Sequence, residues 1–507
     1  MIKYLATKLI QQRMVFLMKN SIKYFEENCI TKFEKLEDEF MKNPETLAEY
    51  VMNMTEELHK FGLKMLRESL ETMDELLCKS TLRKQKWLIE AHSNKQLITS
   101  LGTVYFSKTL FTNKETGKSE YLLDRLIGLG RNERMTEDAE AKMLEEAVQT
   151  SYRRGGEAAS LTTDVSKQTV KNKIHQLEFP SDNSKIEQKK IVEYLYIDAD
   201  EDHVSLQFRE TKGDLIKTTS GKKNNSLITK LVYIYEGIEN EAPKSKRHCL
   251  VNPYYFCDVN TGKDNEEFWN DIYRYINETY DLEKIKKIYI NSDGGGWIKT
   301  GLKKIAETIH VLDGYHLEQS ITRMTSHMKD SREDAKNEVR EVIREHTRSA
   351  FESIVDRLIG CLEDESGIKR IEEEKRYILS NWRAAKLRLK HKAGVMGSST
   401  EGHVSHILSS RMSSRPMGWS RTGAKNMARL RAYYLNDGDM LELVRYQKKK
   451  LPKVVGAEYD DVLSGHEILL SERNRHGELG KYVESITHSM SDHNRKVIYL
   501  SKHIWGL

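Results

Sequence analysis

Proline is scarce in this chain, six residues in 507. That excludes a proline-rich disordered chain and favours long uninterrupted helices. Cysteine is scarce too: Cys29, Cys78, Cys249, Cys257 and Cys361 form no CxxC pair. The sequence therefore offers neither a structural zinc site nor a disulfide framework, and it fits a reducing cytoplasm. No apolar run reaches the roughly 18 residues of a membrane-spanning helix, so no membrane partner is expected. Lys3, Lys8, Arg13 and Lys19 break up any signal-peptide core. There is no P-loop, which disfavours a nucleotide cofactor. Charge, by contrast, is plentiful: 31% of residues are charged, 38% are hydrophobic, and the net charge is +5. The length predicts about two to four domains. Between Arg383 and Arg431 eleven Lys and Arg accompany a single acid, Glu401. That composition suits a polyanion such as nucleic acid, and equally a solvated basic face.

Periodicity divides the chain into regions. Residues 1–95 read as helical, because Ile22, Phe25, Cys29, Phe33, Leu36 and Phe40 recur at three- and four-residue steps. After Asn43-Pro44 the spacing resumes at Leu47, Val51, Met54, Leu58, Phe61 and Met65. Two such stripes predict a helical hairpin or an oligomerisation face. Residues 96–182 read as a β-hairpin over 101–123 followed by a helix-turn-helix-like DNA-binding region. Its second helix starts at Ser166, with Val170, Ile174 and Leu177 inward and Lys167, Gln168, Lys171 and Lys173 free to meet DNA. Residues 183–316 alternate between strand and helix, three antiparallel-looking strands coming first, which is the order of an α/β ribonuclease H-like sheet. Residues 317–393 carry no strand signal and read as an all-helical insertion; residues 394–507 complete the core.

Carboxylates stand at element ends in three places. Asp198 and Asp200, in YIDADED, share one face of a strand because side chains alternate. Asp293 follows an apolar strand and precedes Gly294, Gly295 and Gly296. Glu401 stands alone in its basic segment. Phosphodiester cleavage with Mg²⁺ needs hard oxygen ligands. Two such ions about 4 Å apart can activate a nucleophile and stabilise the leaving oxygen. Two aspartates from neighbouring strands and an acid from a later helix supply such a set. His316, in LDGYH, is placed to bind a phosphate or to start a helix. Arg411, Arg415 and Arg421 are candidates for DNA phosphate contacts.

NSDGGGWIK, VLDGYHLEQ, YILSNWRAAKLRL and above all GSSTEGHVSHILSSRMSSRPMGWS resemble the ISLre-type insertion-sequence transposases, bacterial DDE enzymes related to the Mutator-like group. The resemblance spans most of the chain and is strongest from about 190 to 446. It implies a ribonuclease H-like core interrupted by a helical insertion, cleavage at element ends and strand transfer, with two Mg²⁺ or Mn²⁺ ions. It makes Asp293 the second acid and Glu401 the last, and matches Asp313-Gly-Tyr-His316 to the Asp-x-x-His feature of the Mutator-like group. The first acid is Asp198 or Asp200, with Asp200 favoured. It further implies double-stranded DNA as partner, a homodimer or larger assembly, and a place in the bacterial cytoplasm with the nucleoid. Two other readings use the same residues: a nuclease or resolvase of this fold that cuts without joining, and a non-catalytic DNA-binding regulator derived from a transposase.

Overall fold

Pro44 lacks the N–H a helix needs and pushes Asn43 out of the helical region, to φ −139° and ψ 87°. The computed structural model accordingly breaks the helix there, into α1 (Ile30–Lys42) and α2 (Leu47–Lys79). It describes residues 24–450 except 131, 181–187, 208–215, 218–222, 225, 260–263, 391–394, 396–399 and 416. Expectations for residues 1–23 and for the chain after 450 lie outside the described residues. The described residues fall into two compact units, one of the residues up to 143 with 153–167 and 448–450, the other of residues 144–152 and 168–447. Among the described residues no helix is long and apolar enough to cross a membrane.

In the first unit α1 folds back on α2, Phe25 meeting Phe61 at 5.0 Å and Phe40 stacking on Tyr50 at 4.8 Å. The later half of α2 buries Leu70 and Leu77 against a long hairpin, β1 (Trp87–Thr99) and β2 (Gly102–Asn113), whose Leu97, Val104, Phe106 and Phe111 are interior. This corrects two expectations. The hairpin's long partner strand lies before residue 101, and the boundary at 95 cuts through β1. After the NKETGK turn, only Ser119–Glu120 is strand. β1 is exposed along most of its length, so it lacks the apolar alternation by which a strand is recognised. The early stripe of α2 is split: Leu47, Val51 and Leu58 are exposed, while Phe61 packs on Phe25 of the returning chain.

The helices expected of a helix-turn-helix are present, as α4 (Tyr152–Ala158), after α3 (Glu137–Gln149), and α5 (Lys167–Gln176). They fall largely into different units. On α5 Val170 and Ile174 are buried, as is Leu177 beyond it.

The second unit is built on a five-stranded sheet. Its strands are β3 (Tyr194–Ser205), β4 (Ser226–Tyr235), β5 (Tyr254–Asp258), β6 (Lys287–Ser292) and β7 (Thr308–Leu312), in the order β5-β4-β3-β6-β7. The first three are mutually antiparallel; β6 and β7 run parallel to β3. Alternation sorts the central strands into two faces. Leu195, Ile197, Ala199, Val232, Ile234, Ile288 and Ile290 form a core with α6 (Asp264–Thr279) and α7 (Gly296–Lys304). The opposite face carries Tyr196, Asp198, Tyr233, Tyr235, Tyr289 and Asn291, also buried. From α8 (Gly314–Thr325) the chain runs through α9 (Arg332–Glu345), α10 (Arg348–Gly360), α11 (Glu365–Ser380) and α12 (Trp382–Leu389). These helices share a core of their own, with Ile321, Val339, Phe351, Val355, Ile378 and Trp382, and contain no strand among the described residues. α13 (Thr400–Val404) packs against β3, and α14 (Arg421–Leu435) against β5.

Candidate metal centre of the second unit

Parallel pairing puts three aspartates at one level. Ser292 pairs with Ala199 on one side and Leu312 on the other. The next residues along β3, β6 and β7 are Asp200, Asp293 and Asp313. The ladder continues that far, the Asp313 amide donating to the Ser292 carbonyl at 2.8 Å. Carboxyl ends of parallel strands are where α/β sheets bind ligands. Each acid is held. Asp293 Oδ1 accepts from the Gly295 amide at 2.9 Å. Asp313, 4% exposed, caps α8 by accepting from the His316 amide at 3.1 Å. Asp200 accepts from the Glu201 amide at 2.8 Å. Gly294, at φ +86°, makes the turn, with the Asn381 side chain where its Cβ would be.

The electrostatics separate Asp200 from Asp198. Burial pushes the Asp200 carboxyl up to about 7; the negative charges of Asp293 and Asp313 push the same way, while the Glu201 amide and His316 pull it down. Asp198 is fully buried two residues earlier. It accepts from Tyr233 Oη at 2.7 Å, Asn291 Nδ2 at 2.6 Å and Tyr235 Oη at 3.2 Å. Burial lifts it to about 6, against the pull of those three donors. Asp200 and Asp293 thus lie level at the strand ends, whereas Asp198 lies in the interior among Tyr233, Tyr235 and Asn291. His316 is half-buried at the start of α8, its ring 5.5 Å from that of Tyr315.

Glu401 is on α13, and its side chain lies outside the described residues. Neighbouring contacts seat its helix. His403 stacks on Tyr233 at 4.6 Å. Farther along, Asp202 Oδ2 accepts from Ser409 Oγ at 3.0 Å and Ser413 Oγ at 2.7 Å. Trp419 pairs with the end of β3 through Ser205 and Gln207, and its indole donates to the Met412 carbonyl at 2.8 Å. Much of the GSSTEGHVSHILSSRMSSRPMGWS run therefore binds its own segment to β3. Asp202→Ala is expected to expose residues 400–420 to protease several-fold faster, since two half-buried hydroxyls lose a shared charged acceptor; an unchanged cleavage pattern would show that the serines are not held this way.

The basic segment divides. Arg411 is 3% exposed, its Nε donating to the Ala147 carbonyl at 3.0 Å, and burial pulls it down to about 10. It is not a surface phosphate contact, contrary to expectation. Arg431 donates to the Ile407 and His406 carbonyls at 2.7 and 2.6 Å, and Arg429 Nε pairs with Asp258 at 2.9 Å. These guanidiniums satisfy buried carbonyls and a carboxylate, work that composition cannot distinguish from polyanion binding. Arg415 and Arg421 are exposed, as are Lys167 and Gln168; Lys171 and Lys173 are half-buried. Asn426 on α14 donates to the Ile174 and Leu177 carbonyls at 2.9 and 3.2 Å, placing α5 beside α14.

The donor set is hard and anionic, and its members repel one another, which suits a divalent cation of the Mg²⁺ or Mn²⁺ type. Among the described residues no three acids or histidines converge into a finished cage. Residues that sequence reasoning passed over include Asn291, Asp202, Tyr377 and Arg388. The last two lay inside the quoted YILSNWRAAKLRL run, but nothing in that run pointed at the strand ends.

Several proteins resemble this chain. A UPF0236 protein of Caldanaerobacter subterraneus subsp. tengcongensis, whose name runs together eleven locus designations, is 36% identical over 434 residues, 86% of each chain. Another from that organism is 37% identical over 404 residues, covering 80% of this chain and 81% of the other. A UPF0236 protein in the vanSb 3′ region of Streptococcus gallolyticus is 25% identical over 400 residues, covering 76% of this chain and 82% of its own. Among solved structures, the Drosophila P element transposase strand transfer complex matches 64% of this chain and 84% of that chain at 9% identity. Its TM-score of 0.21 is too low to carry an argument. The family model of UPF0236, an uncharacterised protein family, matches residues 40–450, and the chain belongs to that family.

Proposed function

We propose that this protein is a DDE transposase of an insertion sequence, built on a ribonuclease H-like core. The observation that carries the reading is the placement of Asp200 and Asp293 at one level on adjacent parallel strands, with the helix of Glu401 packed against the first of them. The sheet order supports it: three antiparallel strands are followed by two more that extend the sheet beyond the first strand. The eleven locus designations of one relative support it as well, because an element that copies itself leaves one protein at many loci.

Asp200, Asp293 and Glu401 hold two Mg²⁺ or Mn²⁺ ions in this reading, with Asp313 fixing the start of α8. When bound, the ions supply an activated attacking oxygen and a counter-charge for the leaving 3′ oxygen. The chain's own groups do the rest. His316, beside Asp200, contacts the scissile phosphate. Lys167, Gln168, Lys171 and Lys173 on α5 and the exposed Arg415 and Arg421 bind DNA of the element ends and target, phosphate contacts setting position and affinity. Two ends processed together call for a dimer or larger assembly, acting on the bacterial nucleoid in the cytoplasm.

The test uses DNA flanking the gene as labelled donor, incubated with the purified protein and Mg²⁺ or Mn²⁺, beside Glu401→Gln. Metal-dependent end cleavage and joining, both lost in the variant, is the expected result. Cleavage without joining would replace the transposase with a nuclease or resolvase. Binding with no cleavage by either protein would make it a regulator.

A further inference from the structure

Arg388 sits in the last helix of the insertion, yet its guanidinium reaches the central sheet. It is 9% exposed. Its Nε donates to the Leu312 carbonyl at 2.8 Å, and one terminal nitrogen donates to Asn291 Oδ1 at 2.8 Å. Asn291 passes the connection on, its Nδ2 donating to Asp198 Oδ1 at 2.6 Å. Tyr233 and Tyr235 close the far end on Asp198. A buried cation and a buried anion are thus joined through an amide that accepts from the first and donates to the second. Only one amide orientation satisfies both neighbours, and an aspartate at 291 would set two carboxylates together. The insertion touches the same region twice more. Tyr377 Oη donates to the Asp293 carbonyl at 2.9 Å, and Asn381 packs on Gly294, where a Cβ would lie 2.5 Å from its Oδ1. Besides the Asn291 side chain, these contacts of the insertion fall on the backbone that carries two of the strand-end acids: Asp293 itself, Gly294, and Leu312 just before Asp313.

We propose that Asp198, Asn291 and Arg388 form a buried strut through which the helical insertion sets the positions of Asp200, Asp293 and Asp313. This rests on reading those acids as a metal site. Asp198 and Arg388 are positioning residues here: neither touches substrate or metal. The insertion is then an integral wall of the centre and cannot be detached from it. Asp198, by sequence the less favoured of two alternatives for the first acid, instead lies with Asp313 among the negative charges that Arg388 meets.

A double-mutant cycle in the full-length chain tests the strut, with Asp198→Asn, Arg388→Met and the double variant. The readouts are the Mn²⁺ dissociation constant by titration calorimetry and the midpoint of urea unfolding. Each single change is expected to weaken Mn²⁺ binding roughly 10- to 100-fold, as loss of an outer-shell partner does. The double variant should lose no more than the worse single, because residues acting as one unit are not additive. Arg388→Lys keeps the charge but not the two-pronged geometry, and should recover binding only in part. Losses that multiply in the double variant, or a folded Arg388→Met protein that binds Mn²⁺ like the parent, would overturn the strut. If Arg388→Met fails to fold, Arg388→Lys and Asn291→Ser carry the same cycle. If the parent protein binds no Mn²⁺, the metal reading fails by itself. The unfolding midpoints then decide the strut alone, sub-additive shifts supporting it and additive ones refuting it.

Discussion

Asp200→Asn is expected to lower metal-dependent cleavage by roughly 10³-fold or more, with Asp293→Asn equally severe. Asp198→Asn should cost only about 10- to 100-fold. A ligand carboxylate anchors several kcal/mol of transition-state stabilisation, about three decades of rate at 1.4 kcal/mol per decade. Asp198 and Asp200 lie on one face of β3 two residues apart, and what separates them is their partners. The hydrogen bonds of Asp198 come from interior Tyr and Asn side chains, whereas Asp200 meets the charge of Asp293 as well as that of Asp313. The stability effects should run the other way. Asp198→Asn sets an amide NH2 against at least one of the three donors Tyr233, Tyr235 and Asn291, and that mismatch destabilises the fold. Losing the Asp200 charge relieves repulsion and should leave the metal-free protein as stable as before or more so. Single-turnover cleavage with Mn²⁺, beside urea unfolding, reads both. An active Asp200→Asn protein next to a dead Asp198→Asn protein would move the first acid to 198.

Metal binding should depend steeply on pH below neutrality. The Asp200 carboxyl, raised to about 7 from an ordinary value of 3.8, holds its proton through the mildly acidic range. A cation must displace that proton, so affinity is expected to fall about tenfold per unit as pH drops below 7 and to level off above it. The linkage sign follows from the folded protein binding more protons here than the unfolded chain. Between 3.8 and 7 this group's contribution to stability therefore declines as pH rises, and it is gone once pH passes the folded value. Asp198, raised to about 6, acts in the same direction. Burial draws His310 down to about 4, and it acts in the opposite direction, weakening the fold as pH falls from 6.5 toward 4. The cleanest observable is the rise in melting temperature on adding Mn²⁺, which cancels the terms common to both states. That rise should be several degrees larger at pH 8 than at pH 5.5. An equal rise at both values would mean that Asp200 takes no part in holding the cation.

Local chemistry in the sequence determined much of this protein. The Asn43-Pro44 break, the apolar run of β3, the glycine turn after Asp293, the Asp313 cap of α8 and the strandless insertion are all decided by backbone sterics and short-range periodicity. Those act within a few residues, so they can be read in order along the chain. β1 escaped because its first half is exposed and polar residues (Ser93 to Gln96) stand where burial begins to alternate, so no apolar alternation shows. The tertiary structure alone separates Asp198 from Asp200, since period-two alternation puts both on the same face. Their difference comes from pairing with β6, which sets Asp198 opposite Asn291 and carries Asp200 one step past the last pair, level with Asp293. It also decided the fate of the arginines. A guanidinium is tolerated in the interior only where carbonyls or a carboxylate meet it, and for Arg411 and Arg388 the partner is remote. For Arg411 that partner is Ala147, 264 residues away in sequence, and for Arg388 it is Asn291, 97 residues away. No local pattern encodes such a partner, because the contact exists only after the sheet and its insertion have packed together.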